Sequence, residues 1–149
     1  MSKVPEGETT LVNLSAALSY SQPLTHEERQ VISALPPGAG LLIIRRGGYS
    51  GSRFLLDTQI SIAGRHPASD IFLDDVTVSR RHAEFKRDGD IFRVVDLGSL
   101  NGTFVMQQRV DNAVLCDGFE VQIGKFHLTF FTSHIPPVVM LTFPTPVSP

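Results

Sequence analysis

The chain has one cysteine, Cys116, and no tryptophan. A lone cysteine excludes an internal disulfide framework and a multi-cysteine zinc site, and with it a small stapled secreted scaffold. No apolar run approaches the roughly 20 residues that a helical bilayer span requires. Met1 to Gly7 holds a single lysine and no apolar stretch, so no secretory leader is visible and a cytoplasmic protein is expected. Charge of one sign is lacking too. The net value is −2, and between Gly38 and Ser133 the 11 Lys/Arg balance 11 Asp/Glu. That balance argues against a polyanion binder, nucleic acid included, despite the pairs Arg45-Arg46, Arg80-Arg81 and Lys86-Arg87. Any anion site in this segment must be a local cluster rather than a field of the whole surface.

Proline is nearly missing from the middle of the chain. Ten are present in 149 residues, yet only Pro67 lies between Gly38 and Ser133. Eleven of the 12 glycines and nine of the 10 phenylalanines fall in that interval. The composition predicts an N-terminal arm over 1–37, one domain over 38–133 and a Pro-rich tail over 134–149. The middle has no helical period. Leu41–Ile44, Ala83–Lys86, Ile91–Val95, Val121–Ile123 and Phe126–Phe131 are apolar or alternating runs of strand length. Asp88-Gly89 suits a type I′ hairpin and Gly124-Lys125 a type II′. An all-β sandwich or barrel is expected. In the arm, Thr25-His-Glu-Glu28 matches a capping box, predicting a helix over 25–35 that Pro36-Pro37 stop. In the tail, Val138–Leu141 and Phe143 stand among prolines.

Three loop motifs carry the chemistry: Gly64-Arg65, Ser79-Arg80-Arg81-His82, and Ser99-Leu100-Asn101-Gly102-Thr103. Arginine offers a planar fork of donors, serine a short hydroxyl donor, and asparagine an amide able to hold a peptide main chain. In this order and spacing the motifs resemble the forkhead-associated (FHA) domain, over about Leu41 to Phe131. The resemblance implies an antiparallel β-sandwich of about eleven strands with phosphothreonine held by loops at one end. It implies that Arg65 and Ser79 contact the phosphate and that Asn101 holds the peptide backbone. It implies further that Arg80 reaches the phosphate or a nearby acidic group, that any contact at Leu100 comes from its backbone amide, and that Gly64, His82, Ser99, Gly102 and Thr103 shape the site. Arg81 reads as a solvated or salt-bridged residue, and Lys125 as a further candidate for the ligand end.

Serine catalysis is not expected, because Ser79 lacks the flanking glycines of a nucleophile elbow. Asp74-Asp75, His66 and His127 lack the spaced partners a metal requires, so neither metal nor cofactor is expected. Ser61–Phe85, Gly98–Thr103 and Val121–Phe126 further resemble a group of actinobacterial FHA regulators, of the glycogen accumulation regulator and oxoglutarate dehydrogenase inhibitor type. That likeness implies that a serine/threonine protein kinase modifies Thr9 or Thr10, in Glu8-Thr9-Thr10, and that the phosphothreonine folds back onto the chain's own domain. It also implies partners among oxoglutarate dehydrogenase and glutamate-metabolising enzymes. The alternative is an FHA adaptor in kinase signalling without a metabolic role.

Overall fold

The computed structural model describes residues 23–132. Thr9, Thr10 and the apolar tail residues Val138–Phe143 lie outside them.

Eleven strands form a sandwich of two sheets. They are β1 (Gly40–Arg46), β2 (Arg53–Leu56), β3 (Ile60–Gly64), β4 (Ile71–Phe72), β5 (Ala83–Asp88), β6 (Ile91–Asp96), β7 (Thr103–Val105), β8 (Gln108–Val110), β9 (Asn112–Leu115), β10 (Glu120–Ile123) and β11 (Phe126–Thr132). One sheet runs β2-β1-β11-β10-β7-β8 and the other β4-β3-β5-β6-β9. Alternation produces the core between them. On β11, Phe126, Leu128 and Phe130 point inward with Leu42 and Ile44 of β1, meeting Ala63, Phe85, Phe92 and Val94 of the facing sheet.

Two features differ from the sequence-based expectation. One pairing is parallel: β4 lies beside β3 in the same direction, Ala63 opposite Ile71. A six-residue loop brings the chain back, and the Asp70 carboxylate closes it by accepting the Ile62 N–H at 2.8 Å. The β5–β6 hairpin turns on Gly89-Asp90 rather than Asp88-Gly89. Asp88 pairs with Ile91, and only Gly89 has a positive φ, which suits type II′ and not I′. The β10–β11 turn uses Gly124-Lys125, with Gly124 at φ 59°.

β1 is buried from Gly40 to Ile44 with no alternation, because its second face is covered too. Helix α1 (His26–Ser33) lies there. Leu24, Val31, Ile32 and Leu35 pack on Leu41, Ile43 and Phe131. Leu35 is buried, at about 1.5–3 kcal/mol for a side chain of its kind, and the partly covered Leu24, Val31 and Ile32 contribute less. Thr25 caps the helix, its hydroxyl accepting the Glu28 N–H at 3.0 Å while Glu28 accepts the Thr25 N–H. Glu28 also meets the Arg45 guanidinium at 2.9 Å, with about a tenth of either side chain exposed. Burial pushes the Glu28 carboxyl up, but the Thr25 amide and Arg45 outweigh it and hold it below its ordinary value. An eight-residue helix is marginal by itself; this ion pair and the apolar face anchor it to the sheet.

Candidate functional site

The three motifs meet at one end of the sandwich, on the β3–β4, β4–β5 and β6–β7 loops. Gly64 makes the first junction possible, since a Cβ there would collide with the Arg80 carbonyl oxygen. Without that obstacle Arg65 N–H donates to Ser79 O at 2.9 Å and His66 N–H to Arg80 O at 3.3 Å. The Arg65 Nε–H donates to Val78 O at 3.0 Å, which aims the guanidinium. Its terminal nitrogens have no partner among the described residues.

His82 joins the second loop to the third. The ring is fully buried. Nδ1 accepts the Ser79 N–H at 3.0 Å, and Nε2–H donates to the Gly102 carbonyl at 2.9 Å. These two bonds require the neutral Nε2–H tautomer. Burial lowers the imidazole pKa, against smaller opposing effects of the Gly102 carbonyl and the Asp96 carboxylate. Both nitrogens therefore serve backbone groups, and neither is a base for the Ser79 hydroxyl. The Ser79 Oγ accepts the Leu100 N–H at 3.0 Å, which leaves the hydroxyl proton to donate outward. The Leu100 amide is thus engaged by Ser79, and the residue is 84% exposed. Asn101 is exposed, and its Nδ2 donates to Thr77 O at 2.9 Å, leaving Oδ1 and one N–H. Arg80 and Arg81 are exposed.

Two carboxylates hold these loops, and neither was singled out as a site residue from the sequence. Asp96, the last residue of β6, accepts from Gly98 N–H and Ser99 N–H on Oδ2, both at 3.0 Å. On Oδ1 it accepts from the hydroxyls of Ser99 at 2.6 Å and Thr103 at 2.7 Å. Burial pushes the Asp96 carboxyl up, but the Ser99 and Thr103 donors outweigh it and leave it lowered. Ser99 Oγ in turn accepts the Gly102 N–H at 2.9 Å. The arrangement is an Asx turn, and Asp96-x-Gly98-Ser99 was its visible signal. Asp75 is the second. It accepts from Thr77 N–H at 2.9 Å and the Thr77 hydroxyl at 2.6 Å, and pairs with Lys125 Nζ at 3.1 Å. The Thr77 donors, then Lys125, bring its carboxyl to about 2. Lys125 N–H donates to Thr77 Oγ1 at 3.0 Å, so the β10–β11 turn braces the residue whose carbonyl orients Asn101.

The other arginine pairs of the sequence serve the fold. Arg45 and Arg46 face Glu28 and Glu120, and Arg87 donates to Gly38 O at 2.7 Å. Among the described residues no three His, Cys, Asp or Glu side chains cluster as metal ligands. No helix there is long and apolar enough to cross a membrane.

A two-sheet sandwich with arginine, serine and asparagine gathered on three loops at one end defines a class, and residues 62–124 match the FHA domain model. The chain belongs to the FHA-domain family. Within it, the chain is 64% identical over 101 residues to the glycogen accumulation regulator GarA of Mycobacterium tuberculosis, covering 68% of this chain but only 62% of that one. It is 50% identical over 128 residues to the oxoglutarate dehydrogenase inhibitor of Corynebacterium glutamicum, covering 85% of this chain and 90% of the relative. Among solved structures it is similar to an FHA domain from work on phosphothreonine-dependent FHA interactions, with TM-score 0.60 and 30% identity, covering 65% of this chain and 99% of that one.

Proposed function

We propose that this chain is a non-catalytic, phosphothreonine-dependent regulator that binds protein partners through Arg65, Ser79 and Asn101. Arg80 completes the contact, the Leu100 amide orients the Ser79 hydroxyl instead of reaching the ligand itself, and Gly64, His82, Ser99, Gly102 and Thr103 shape it. One observation carries the reading. The terminal nitrogens of Arg65, the Ser79 hydroxyl proton and the free half of the Asn101 amide are left without partners among the described residues, at the junction of three braced loops. Such pre-oriented donors suit a dianion with an adjoining peptide backbone. The test is calorimetry with a phosphothreonine peptide. Arg65→Ala and Ser79→Ala each remove charge-assisted bonds of about 1.5–3 kcal/mol and are expected to weaken binding ~10–100-fold. Unchanged affinity in either variant would refute the assignment.

The names of the relatives extend the proposal to the whole protein: a cytoplasmic regulator of oxoglutarate and glutamate enzymes, oxoglutarate dehydrogenase among them. A serine/threonine kinase would act on Thr9 or Thr10, and the modified arm would occupy the chain's own site. The exit of the arm supports this. The Pro23 carbonyl accepts from Arg45 Nη2 at 3.3 Å, where β1 leads into the Gly47–Gly51 loop. That loop abuts Lys125, which contacts Thr77, which holds Asn101. The arm thus leaves from the ligand end, and the docked helix does not lengthen the path. Thr10 precedes Pro23 by 13 residues, a separation that chain statistics put at about 20 Å, against a domain radius of ~13 Å. Tethering at that range supplies an effective concentration near the millimolar range. For a site of about micromolar affinity the closed form is favoured ~1,000-fold. Small-angle scattering on phosphorylated protein tests it, and compaction that persists in Arg65→Ala would refute it.

A further inference from the structure

Beside the residues proposed to hold phosphothreonine, an open cleft of about 510 Å³ runs between the β3–β4 and β4–β5 loops, lined by Ile62, His66, Asp70, Arg80 and Arg81 among others. Its position follows from the loop junction. His66 follows Arg65 and donates its N–H to Arg80 O, so the residue after one proposed phosphate ligand lies against those after the other. The charge of the cleft is unbalanced. Arg45, Arg46, Arg53, Arg93 and Lys125 each have a carboxylate partner, whereas Arg80 and Arg81 have none among the described residues. Asp70 is the one carboxylate among the lining residues, and its Oδ2 already accepts the Ile62 N–H. His66 Nδ1 accepts the Ala68 N–H at 2.9 Å, which leaves Nε2 as a donor in the neutral ring. Two guanidiniums and an imidazole N–H over a half-buried Ile62 suit an acidic group on an aliphatic or phosphorylated side chain.

We propose that this cleft is a second anion subsite, which takes a carboxylate or a second phosphate carried by the same peptide within a few residues of the phosphothreonine. The inference rests on the phosphothreonine reading above and deepens it. Arg81 is then a specificity residue. The chain itself offers a ligand of this chemistry, since Glu6 and Glu8 precede the adjacent threonines Thr9 and Thr10.

The experiment is calorimetry of the full chain with matched peptides: phosphothreonine in neutral flanks, the same with glutamate at each position up to three residues away, and the same with a second phosphothreonine. Wild-type protein is expected to bind the best acidic or doubly phosphorylated peptide about three- to tenfold tighter than the neutral one, with a gap that narrows in salt. Arg81→Ala should level the series, the acidic peptides falling to the affinity of the neutral one. The arm that shows the gap identifies carboxylate or phosphate as the occupant. Equal binding of all peptides by wild-type protein, or a gap that survives in Arg81→Ala, overturns the subsite and leaves the phosphothreonine reading standing. Failure of wild-type protein to bind any phosphopeptide overturns both.

Discussion

Replacing His82 with alanine strikes the one side chain that couples two of the binding loops. The ring is fully buried, so the substitution opens a void and orphans the Ser79 N–H and the Gly102 carbonyl at once. Two unsatisfied backbone groups and the void together are expected to cost about 2–5 kcal/mol, a large share of the ~5–15 kcal/mol of a typical domain. Acid should act on the same residue. Protonating Nδ1 sets it against the Ser79 N–H, donor to donor, and places a charge in the core. Because burial holds the folded pKa below the ordinary imidazole value, the unfolded chain takes up the proton first. Stability is therefore complete above about pH 6.5 and declines as pH falls below it, by up to ~1.4 kcal/mol per pH unit until the folded pKa is reached. Urea titrations at pH 7.5 and 5.5 on wild type and His82→Ala isolate the effect, since the other histidines are common to both. Wild type should lose more stability than the variant over that interval. Parallel losses, or a wild type that gains on acidification relative to the variant, would refute the coupling.

Asp96→Asn sets an amide against four donors, and should weaken phosphopeptide binding about tenfold or more while costing ~1–3 kcal/mol of stability, both measurable on one preparation. Unaltered binding would mean that the Ser99–Asn101 loop holds its shape without it. Glu28→Ala removes both the carboxylate that meets Arg45 and the acceptor of the Thr25 N–H, and should destabilise the domain by about 1–3 kcal/mol, read by urea denaturation. In wild type the contribution of Glu28 is present above its ordinary pKa and is lost as pH falls through the lowered value. Phosphothreonine should bind about fourfold better than phosphoserine if its methyl is buried, at ~0.8 kcal/mol, and matched peptides in calorimetry decide it.

Much of the sandwich is legible in the sequence because its causes are local. Phe126-x-Leu128-x-Phe130 alternates with the period of a strand, and Gly124-Lys125 marks its turn, so β10–β11 follows from adjacent residues. The candidate site residues were marked by three loop motifs that are each weak alone and that resemble the FHA pattern in combination, and the structure brings Arg65, Ser79 and Asn101 to one end of the sandwich. What only the tertiary structure decided is how these pieces meet. The bond from His82 to Gly102 spans 20 residues, that from Asn101 to Thr77 spans 24, and that from Lys125 to Thr77 spans 48. Such contacts depend on strand order and register, which no local propensity encodes. Asp75 looked like half of a carboxylate pair until the fold set Thr77 and Lys125 around it. The parallel course of β4 came from a loop closure on Asp70. The helix shows the division most plainly: Thr25 and Glu28 encode its first turn, but the unalternating Leu41–Ile44 run has a second apolar face that water would otherwise meet, and burial of that face is what docks the helix there.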